Sequence, residues 1–435
     1  LYSVRIIIKY NAYYFKGKSQ RYVKIQNCIG GFVVNIAGIV AEYNPFHNGH
    51  LFQLEQTRVL GATHIIAVMS GNFCQRCEPA CLDKFTRARL ACENGVDLVI
   101  ELPIQYAIGS SERFACGGVY LLNAMGCVDT LSFGSECGDI SLLNTAANAV
   151  SDPHIFERTK RLCESGKSYP AAREEAVREL FGENISSLLR NPNNILGIDY
   201  IKALKHLGSK IQPLTVKRIG AGHDSDFTSG GFASAGFVRA GLSGSEFAAY
   251  VPKNTALAVR DAIARGRTGG GLAGLEQVFL YRIRSLGRDE LCSLPDCGCG
   301  LGDRLYNAAS ESATLDELFE FTKTKRYTMS RVRRAVLCAV LGISPSHYFN
   351  PPYIRILAIG RRGDEILTEM KKSCTIPISH SLKQLMQLGG DCETTALLEA
   401  SATDLFSLSQ RCISPRGSDF TAKMFNIHSL SKENT

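Results

Sequence analysis

Residues 38–51 read GIVAEYNPFHNGHL. An apolar run ends near Ala41, Asn44 and Pro45 make a turn, and a helix begins near Asn48 or Gly49, so the stretch is a strand, a tight loop and a helix N-terminus. Reading outward, FVVNIAGIVA (32–41) is an apolar strand, 50–60 can form a helix, and THIIAVM (63–69) is a second strand. A helix over 84–94, a third strand DLVIEL (97–102), a helix around 112–123 and a short strand TLSF (130–133) follow. Strands alternating with helices of about three turns predict βαβ units, hence an α/β, Rossmann-like parallel sheet with helices on both faces. Ligands of such sheets bind beyond the carboxyl ends of the strands. The polar stretches EYNPFHNGH, SGNFCQRCEP and GSECGD fall at three of those ends and are expected to face one cleft.

The second half has a different texture. GLEQVFLYRIRSLG, ATLDELFEFT and RVRRAVLCAVLGI read as helices, strand signals are few, and GRTGGGLAG (266–274) reads as a flexible loop. We therefore expect a sheet domain over 34–245 and a mostly α-helical domain over 246–435. Within the latter, 323–334 (KTKRYTMSRVRR) holds six basic residues, Lys323, Lys325, Arg326, Arg331, Arg333 and Arg334, with no acid and with Tyr327 among them. Basic side chains at that density suit a phosphate backbone, and a tyrosine can stack on an unpaired base; a solvated helix face is the alternative. Arg355, Arg361 and Arg362 could extend the patch.

The 435 residues are 45% apolar and 21% charged, an ordinary globular composition, and no run approaches the roughly 18 uncharged apolar residues that cross a bilayer. The net charge is +8, but Arg5, Lys9, Lys16, Lys18, Arg21 and Lys24 precede the first acid and leave the remainder nearly neutral. Residues 1–33 are read as a disordered or over-called basic extension, a functional RNA-binding arm being the alternative. The sixteen cysteines are scattered without a compact framework, which fits a reducing cytosol.

His47 and His50 stand three residues apart at the start of the first helix. A helix N-terminus offers backbone donors and a partial positive charge, which suit phosphate. Two imidazoles can donate to phosphoryl oxygens and stabilise charge developing on departing pyrophosphate, while Gly49 would let the phosphates approach the backbone. A metal pair or a purely structural role are the competing readings; no third ligand of obvious spacing accompanies the pair.

His47-Asn48-Gly49-His50 resembles the HxGH signature of the nucleotidyltransferase and class I aminoacyl-tRNA synthetase superfamily. AEYNPFHNGHL, AVMSGNFCQRCEPA, DKFTRARLACENGVDLVIELP, FGSECGDI, NPNNILGIDYI and TKRYTMSRVRR together resemble the bacterial tRNA(Met) cytidine acetate ligases, from about Val34 to the Gly360 region. The resemblance implies a nucleotidyltransferase domain that activates acetate with ATP as acetyl-adenylate, and transfer of the acetyl group to the wobble cytidine of elongator tRNA(Met). It places the nucleotide on Val40, Ala41 and Glu42 at the strand end, Tyr43, Asn44, Pro45 and Phe46 in the turn, and His47, Asn48, Gly49, His50, Leu51, Phe52 and Gln53 opening the helix. Gly134, Asn194 and Arg218 match further ATP contacts, with helix capping the alternative for Asn194. In FASAGFVRAGL, Ser234 and Arg239 match a family element whose usual threonine is here Gly236, and HDSDFTSGG before it reads as a loop closing over the triphosphate.

Cys74, Cys77 and Cys81, and later Cys292, Cys297 and Cys299, could hold a metal, but Cys77 stands where the resembled family usually has glycine, and no metal site is assigned. Mg²⁺ is expected with ATP. No membrane and no protein partner is implied. The alternatives are a small-molecule adenylyltransferase of the same superfamily, against which the basic helical region argues, and a non-catalytic RNA-binding protein, against which both intact histidines argue.

Overall fold

The computed structural model describes residues 34–219 and 231–429. The basic extension and most of the HDSDFTSGG stretch lie outside the described residues. Five strands, β1 (Ile36–Ala41), β2 (His64–Ser70), β3 (Leu98–Leu102), β4 (Thr130–Ser135) and β5 (Gln212–Lys217), run parallel in the order β5-β4-β1-β2-β3. Both faces are covered, so β2 and β3 are buried along their whole length and read as continuous apolar runs.

The two-residue period of a strand divides the core. Ile36, Ile66, Val68, Leu98 and Ile100 face α3 (Ser111–Met125) and α4 (Pro192–His206), where Val119, Leu122, Ile198 and Ile201 pack. Ile39, Ile65, Ala67, Met69 and Val99 face α1 (Asn48–Val59) and α2 (Lys84–Glu93) on the other side. Two glycines permit close approach on the first face: a Cβ at Gly38 would stand 2.5 Å from Leu122, and one at Gly118 would stand 2.7 Å from Val40. The Asp83 carboxylate caps α2, and the Ser110 hydroxyl caps α3.

The second half is mostly helical, and its helices bury Phe279, Leu280, Leu305, Phe319, Val332 and Val336 among themselves. It also supplies β6 (Ile354–Ile359), a fully buried strand that pairs antiparallel with β3; β7 (Ile378–Ser379) and β8 (Phe425–Asn426) then pair with β6. The six apolar-rich residues of β6 are too short to be told from a helix segment by periodicity, and their partner is remote in sequence. Two glycines of GRTGGGLAG, a stretch expected to be flexible, are explained by close packing. A Cβ at Gly269 or Gly270 would meet the carbonyl oxygen of Ala80 or Ser409 at 2.1 Å.

Lys84 and Arg355, both inaccessible, share three buried carboxyl groups. Lys84 Nζ lies 2.5 Å from Glu101, 2.7 Å from Asp419 and 3.7 Å from Glu399; Arg355 reaches Glu101 at 2.9 Å and Asp419 at 2.7 Å. Arg355 is thus part of the interior and does not extend a basic surface, because the buried carboxylates of Glu101 in β3 and Asp419 need its charge.

Candidate active site

The turn Glu42–His47 carries the chain from β1 to the first residue of α1. His47 is the N-cap: its Nδ1 accepts the Gly49 N–H at 3.0 Å, and the His50 Nδ1 accepts the His47 N–H at 3.2 Å, a reciprocal capping box built from two imidazoles. Because each Nδ1 is an acceptor, each neutral ring carries its proton on Nε2 and keeps one N–H donor to offer. Burial, then the charges of Arg218 and Arg239, pushes the His47 pKa down to about 3. Burial, then His47 and Arg218, puts His50 well below the usual histidine range.

The backbone donors expected to serve phosphate are already engaged. Asn48 N–H donates to the Tyr250 carbonyl at 2.9 Å, Gly49 N–H to His47 Nδ1, and the amides of His50 and Leu51 both to the His47 carbonyl. The free donors at this helix start are therefore the ring N–H groups. Gly49 is needed for the ring as well, since a Cβ there would lie 2.9 Å from His47 Cε1.

Both histidines line a cleft of about 600 Å³ at the carboxyl ends of the strands. The three loops do meet there: Glu42, Gln75, Arg76 and Gly134 line it, joined by Gly109 and Ser111 beyond β3. Arg218, Arg239, Arg333 and Arg334 give it a basic lining. A recess of about 50 Å³ on the α1 side shares His47, His50, Gln53, Gly134 and Arg218 with it and adds Phe52, Val216 and Phe232.

Within the predicted nucleotide segment, Val40, Ala41, Glu42, His47, His50 and Gln53 line the cleft, while Gly49 and Phe52 line the recess. Tyr43 and Phe46 are instead core residues, and Leu51 packs partly buried against the same cluster. Pro45 is buried, and Asn44 ties two loops together by accepting from Cys81 N–H at 2.8 Å while its own carbonyl accepts from Arg239 at 2.9 Å. Asn48 donates to the carbonyls of Gly231 and Ala249 at 3.0 and 3.2 Å. Gly134 makes room for Arg218, whose Cγ would stand 3.3 Å from an added Cβ. Asn194 is buried behind the cleft and shapes its floor, its Oδ1 accepting from the backbone of Glu136 and Cys137 at 3.0 and 3.1 Å; its neighbour Asn193 lines the cleft. Ser234 caps the helix α5 (Ala235–Ala240), accepting from Phe237 N–H at 3.1 Å, and both it and Arg239 line the cleft.

The basic stretch divides at the start of α6 (Met329–Leu341). Lys323, Lys325 and Arg326 are exposed, whereas Arg333 and Arg334 reach the cleft, the first paired with Glu78 and the second with Asp296 at 2.9 Å. Arg331 braces the 296–298 turn through the Asp296 and Gly298 carbonyls at 2.8 and 3.0 Å. Tyr327 is no stacking platform: it is 6% exposed, its hydroxyl donates to the Cys299 carbonyl, and Arg331 lies over its ring. Arg362 is taken up by Glu365 and the Thr63 carbonyl.

Residues not anticipated from sequence also line the cleft: Gln75, Phe114, Phe133 and Tyr200. Arg87, inside the quoted DKFTRAR stretch, is fully buried and donates to the Glu42 and Gly71 carbonyls, fixing the ends of β1 and β2. Among the described residues, no three His, Cys, Asp or Glu side chains gather to hold a metal ion, and the cysteines are free thiols. Cys77 has a φ of 59°, a backbone conformation that favours glycine. Among the described residues no helix is long and apolar enough to cross a membrane.

Comparison with known proteins agrees with this geometry. The family model for HIGH nucleotidyl transferases matches residues 34–419. The tRNA(Met) cytidine acetate ligase of Thermoanaerobacter sp. (strain X514) is 37% identical over 413 residues, covering 92% of this chain and all of that protein. That of Acetivibrio thermocellus is 36% identical, covering 86% and 94%. The apo crystal structure of Thermotoga maritima TmcAL superposes with a TM-score of 0.85 at 31% identity, covering 90% of this chain and 99% of that one. A second form of that protein, bound with alpha-thio ATP, gives 0.83. On these matches the chain belongs to the HIGH nucleotidyl transferase family and, within it, to the tRNA(Met) cytidine acetate ligases.

Proposed function

We propose that this chain uses ATP to activate acetate as acetyl-adenylate and transfers the acetyl group to N4 of the wobble cytidine of elongator tRNA(Met), in the cytoplasm. The carrying observation is the stacked, neutral pair His47 and His50 between Arg218 and Arg239, in a chain with this family membership. That a relative of this fold was crystallised with alpha-thio ATP supports ATP as the substrate.

In the first step an acetate oxygen attacks the α-phosphorus and the bond to the β-phosphate oxygen breaks, so negative charge grows on pyrophosphate. The Nε2–H groups of His47 and His50 and the guanidinium groups of Arg218 and Arg239 donate to those oxygens, with no covalent protein intermediate. Neutral imidazoles act here as fixed donors, not as proton sources. The nucleotide rests along Val40–Gln53, with Gly134 and Ser234 beside it and Asn194 holding the loop that carries Glu136. Mg²⁺ bound to the phosphate oxygens would neutralise part of their charge. In the second step the cytidine amine attacks the acyl carbon, AMP leaves, and the amine gives up a proton. Residues 34–245 carry the activation, and 246–435, through Lys323, Lys325 and Arg326 outside and Arg331, Arg333 and Arg334 toward the cleft, guide the anticodon.

Acetate-dependent exchange of labelled pyrophosphate into ATP, followed by acetylation of tRNA(Met) and analysis of its nucleosides, tests the proposal. Exchange with acetate and acetylcytidine in the product are expected; no carboxylate-dependent exchange, with or without tRNA, would overturn it.

A further inference from the structure

The cleft has two lobes on opposite faces of the sheet. On the α1 face, Phe52, Val216 and Phe232 line the recess next to Gly134. On the other face, Val40, Phe114, Phe133, Leu196 and Tyr200 form an apolar wall between α3 and α4. His47, His50 and Arg218 stand between the lobes and belong to both. With the phosphates at that boundary, in-line displacement requires the group attacking the α-phosphorus to approach opposite the departing pyrophosphate, and the apolar wall beside His47 and His50 offers it a place.

The second lobe is rigid. Phe133 is pressed against α4 so closely that a Cβ at Gly197 would stand 2.6 Å from its ring, and the Phe133 and Tyr200 rings pack 5.5 Å apart. Its one hydroxyl, on Tyr200, lacks a hydrogen-bond partner among the described residues, as do those of the buried Tyr43 and Tyr353, but of the three only Tyr200 lines the cleft. Tyr200 is 1% exposed. A buried hydroxyl without a partner is costly unless a ligand completes it. Burial, then the carboxylates of Glu42 and Asp199, raises its pKa, so it remains a donor. Glu42 itself is turned to the Gln75 N–H at 2.7 Å.

We propose that this lobe is the acyl subsite: the Tyr200 O–H donates to one oxygen of a short carboxylate, and Val40, Phe114, Phe133 and Leu196 enclose its alkyl group and limit its length. The inference rests on the proposed acyl-adenylate chemistry and assigns its specificity to residues outside the HxGH stretch. One carboxylate oxygen forms the new bond to phosphorus, the pyrophosphate oxygen leaves with the bonding pair, and the other oxygen keeps the tyrosine hydrogen bond.

The test is pyrophosphate exchange without tRNA, using acetate, propionate and butyrate on wild type, Tyr200→Phe and Leu196→Ala. Tyr200→Phe is expected to raise KM for acetate about tenfold and leave KM for ATP unchanged. Leu196→Ala is expected to raise the propionate-to-acetate ratio of kcat/KM on the order of tenfold, the worth of a methylene pocket. Wild-type exchange with unchanged acetate KM and acyl preference in both variants would overturn the subsite while leaving the proposed reaction standing. So would a parallel rise of both KM values in Tyr200→Phe, which marks a general disturbance. Absence of exchange in wild type would instead remove the reaction on which the inference rests.

Discussion

The imidazole rings of His47 and His50 lie face to face, their centroids 3.7 Å apart and their planes 22° from parallel. Each ring is locked by a backbone N–H on Nδ1, so the pair presents two preset donors. Donors aimed at developing charge contribute roughly 10²–10³ in rate each. His50→Ala is therefore expected to lower acetate-dependent pyrophosphate exchange by about that factor and leave tRNA affinity within about twofold. His47→Ala should do the same and also destabilise the fold by about 1 kcal/mol, because it removes the cap of α1. Comparison of exchange, filter binding and denaturant midpoints of the two variants separates these effects.

The same burial predicts an acid-side loss of stability. His47 titrates at about 3 in the folded chain against an ordinary value of 6.5, and His50 is shifted the same way, so below pH 6.5 the unfolded chain binds more protons. The stability they confer is complete above pH 6.5 and falls through the window from 6.5 to about 3, at up to about 1.4 kcal/mol per pH unit per histidine. Denaturant unfolding at pH 7 and pH 5.5 should show this slope in wild type, and His50→Gln should flatten it. Equal slopes in the two proteins would mean that His50 binds its proton as readily in the folded chain as in the unfolded one.

Much of this site was legible because strand, loop and helix followed one another locally. The HxGH pair and the loops after β1, β2 and β4 all announce themselves within short windows. What escaped depended on remote pairing. Tyr200 and Leu196 read only as part of a helix until the sheet placed α4 beside Phe133, and β6 has no meaning without β3. Tyr327 and Arg355 depart from their expected exposure for the converse reason: a sequence window does not reveal that a buried carbonyl accepts from a tyrosine hydroxyl or that a buried carboxylate pairs with an arginine.

The division of the basic stretch gives separable phenotypes. Lys323, Lys325 and Arg326 are exposed, so replacing all three with alanine is expected to weaken tRNA binding and reduce the slope of log affinity against log salt by about 2–3, leaving pyrophosphate exchange intact. Arg333 lines the cleft and pairs with Glu78, so Arg333→Ala should affect exchange as well. Salt titrations of tRNA binding, run beside exchange assays, check both. A triple variant with wild-type salt dependence would remove this segment from the RNA path.

The buried cluster around Lys84 makes the most discriminating stability prediction. Two cations, Lys84 and Arg355, face Glu101, Asp419 and Glu399, one carboxyl group too many for charge balance. Burial and the neighbouring Glu101 raise the Glu399 pKa well above the carboxylate range, while Lys84 and Arg355 offset burial and hold Asp419 ionised. A protonated Glu399 makes the cluster neutral. Its Oε1 accepts the Ile104 N–H at 2.5 Å, which a glutamine carbonyl can also do. Glu399→Gln, isosteric with the protonated acid, is therefore expected to cost about 1 kcal/mol or less, whereas Lys84→Met strands a buried carboxylate and is expected to cost about 3–5 kcal/mol. Denaturant unfolding of both variants at pH 7 decides the matter. Comparable losses would mean that Glu399 is ionised and that the third charge is balanced by a group other than Lys84 and Arg355.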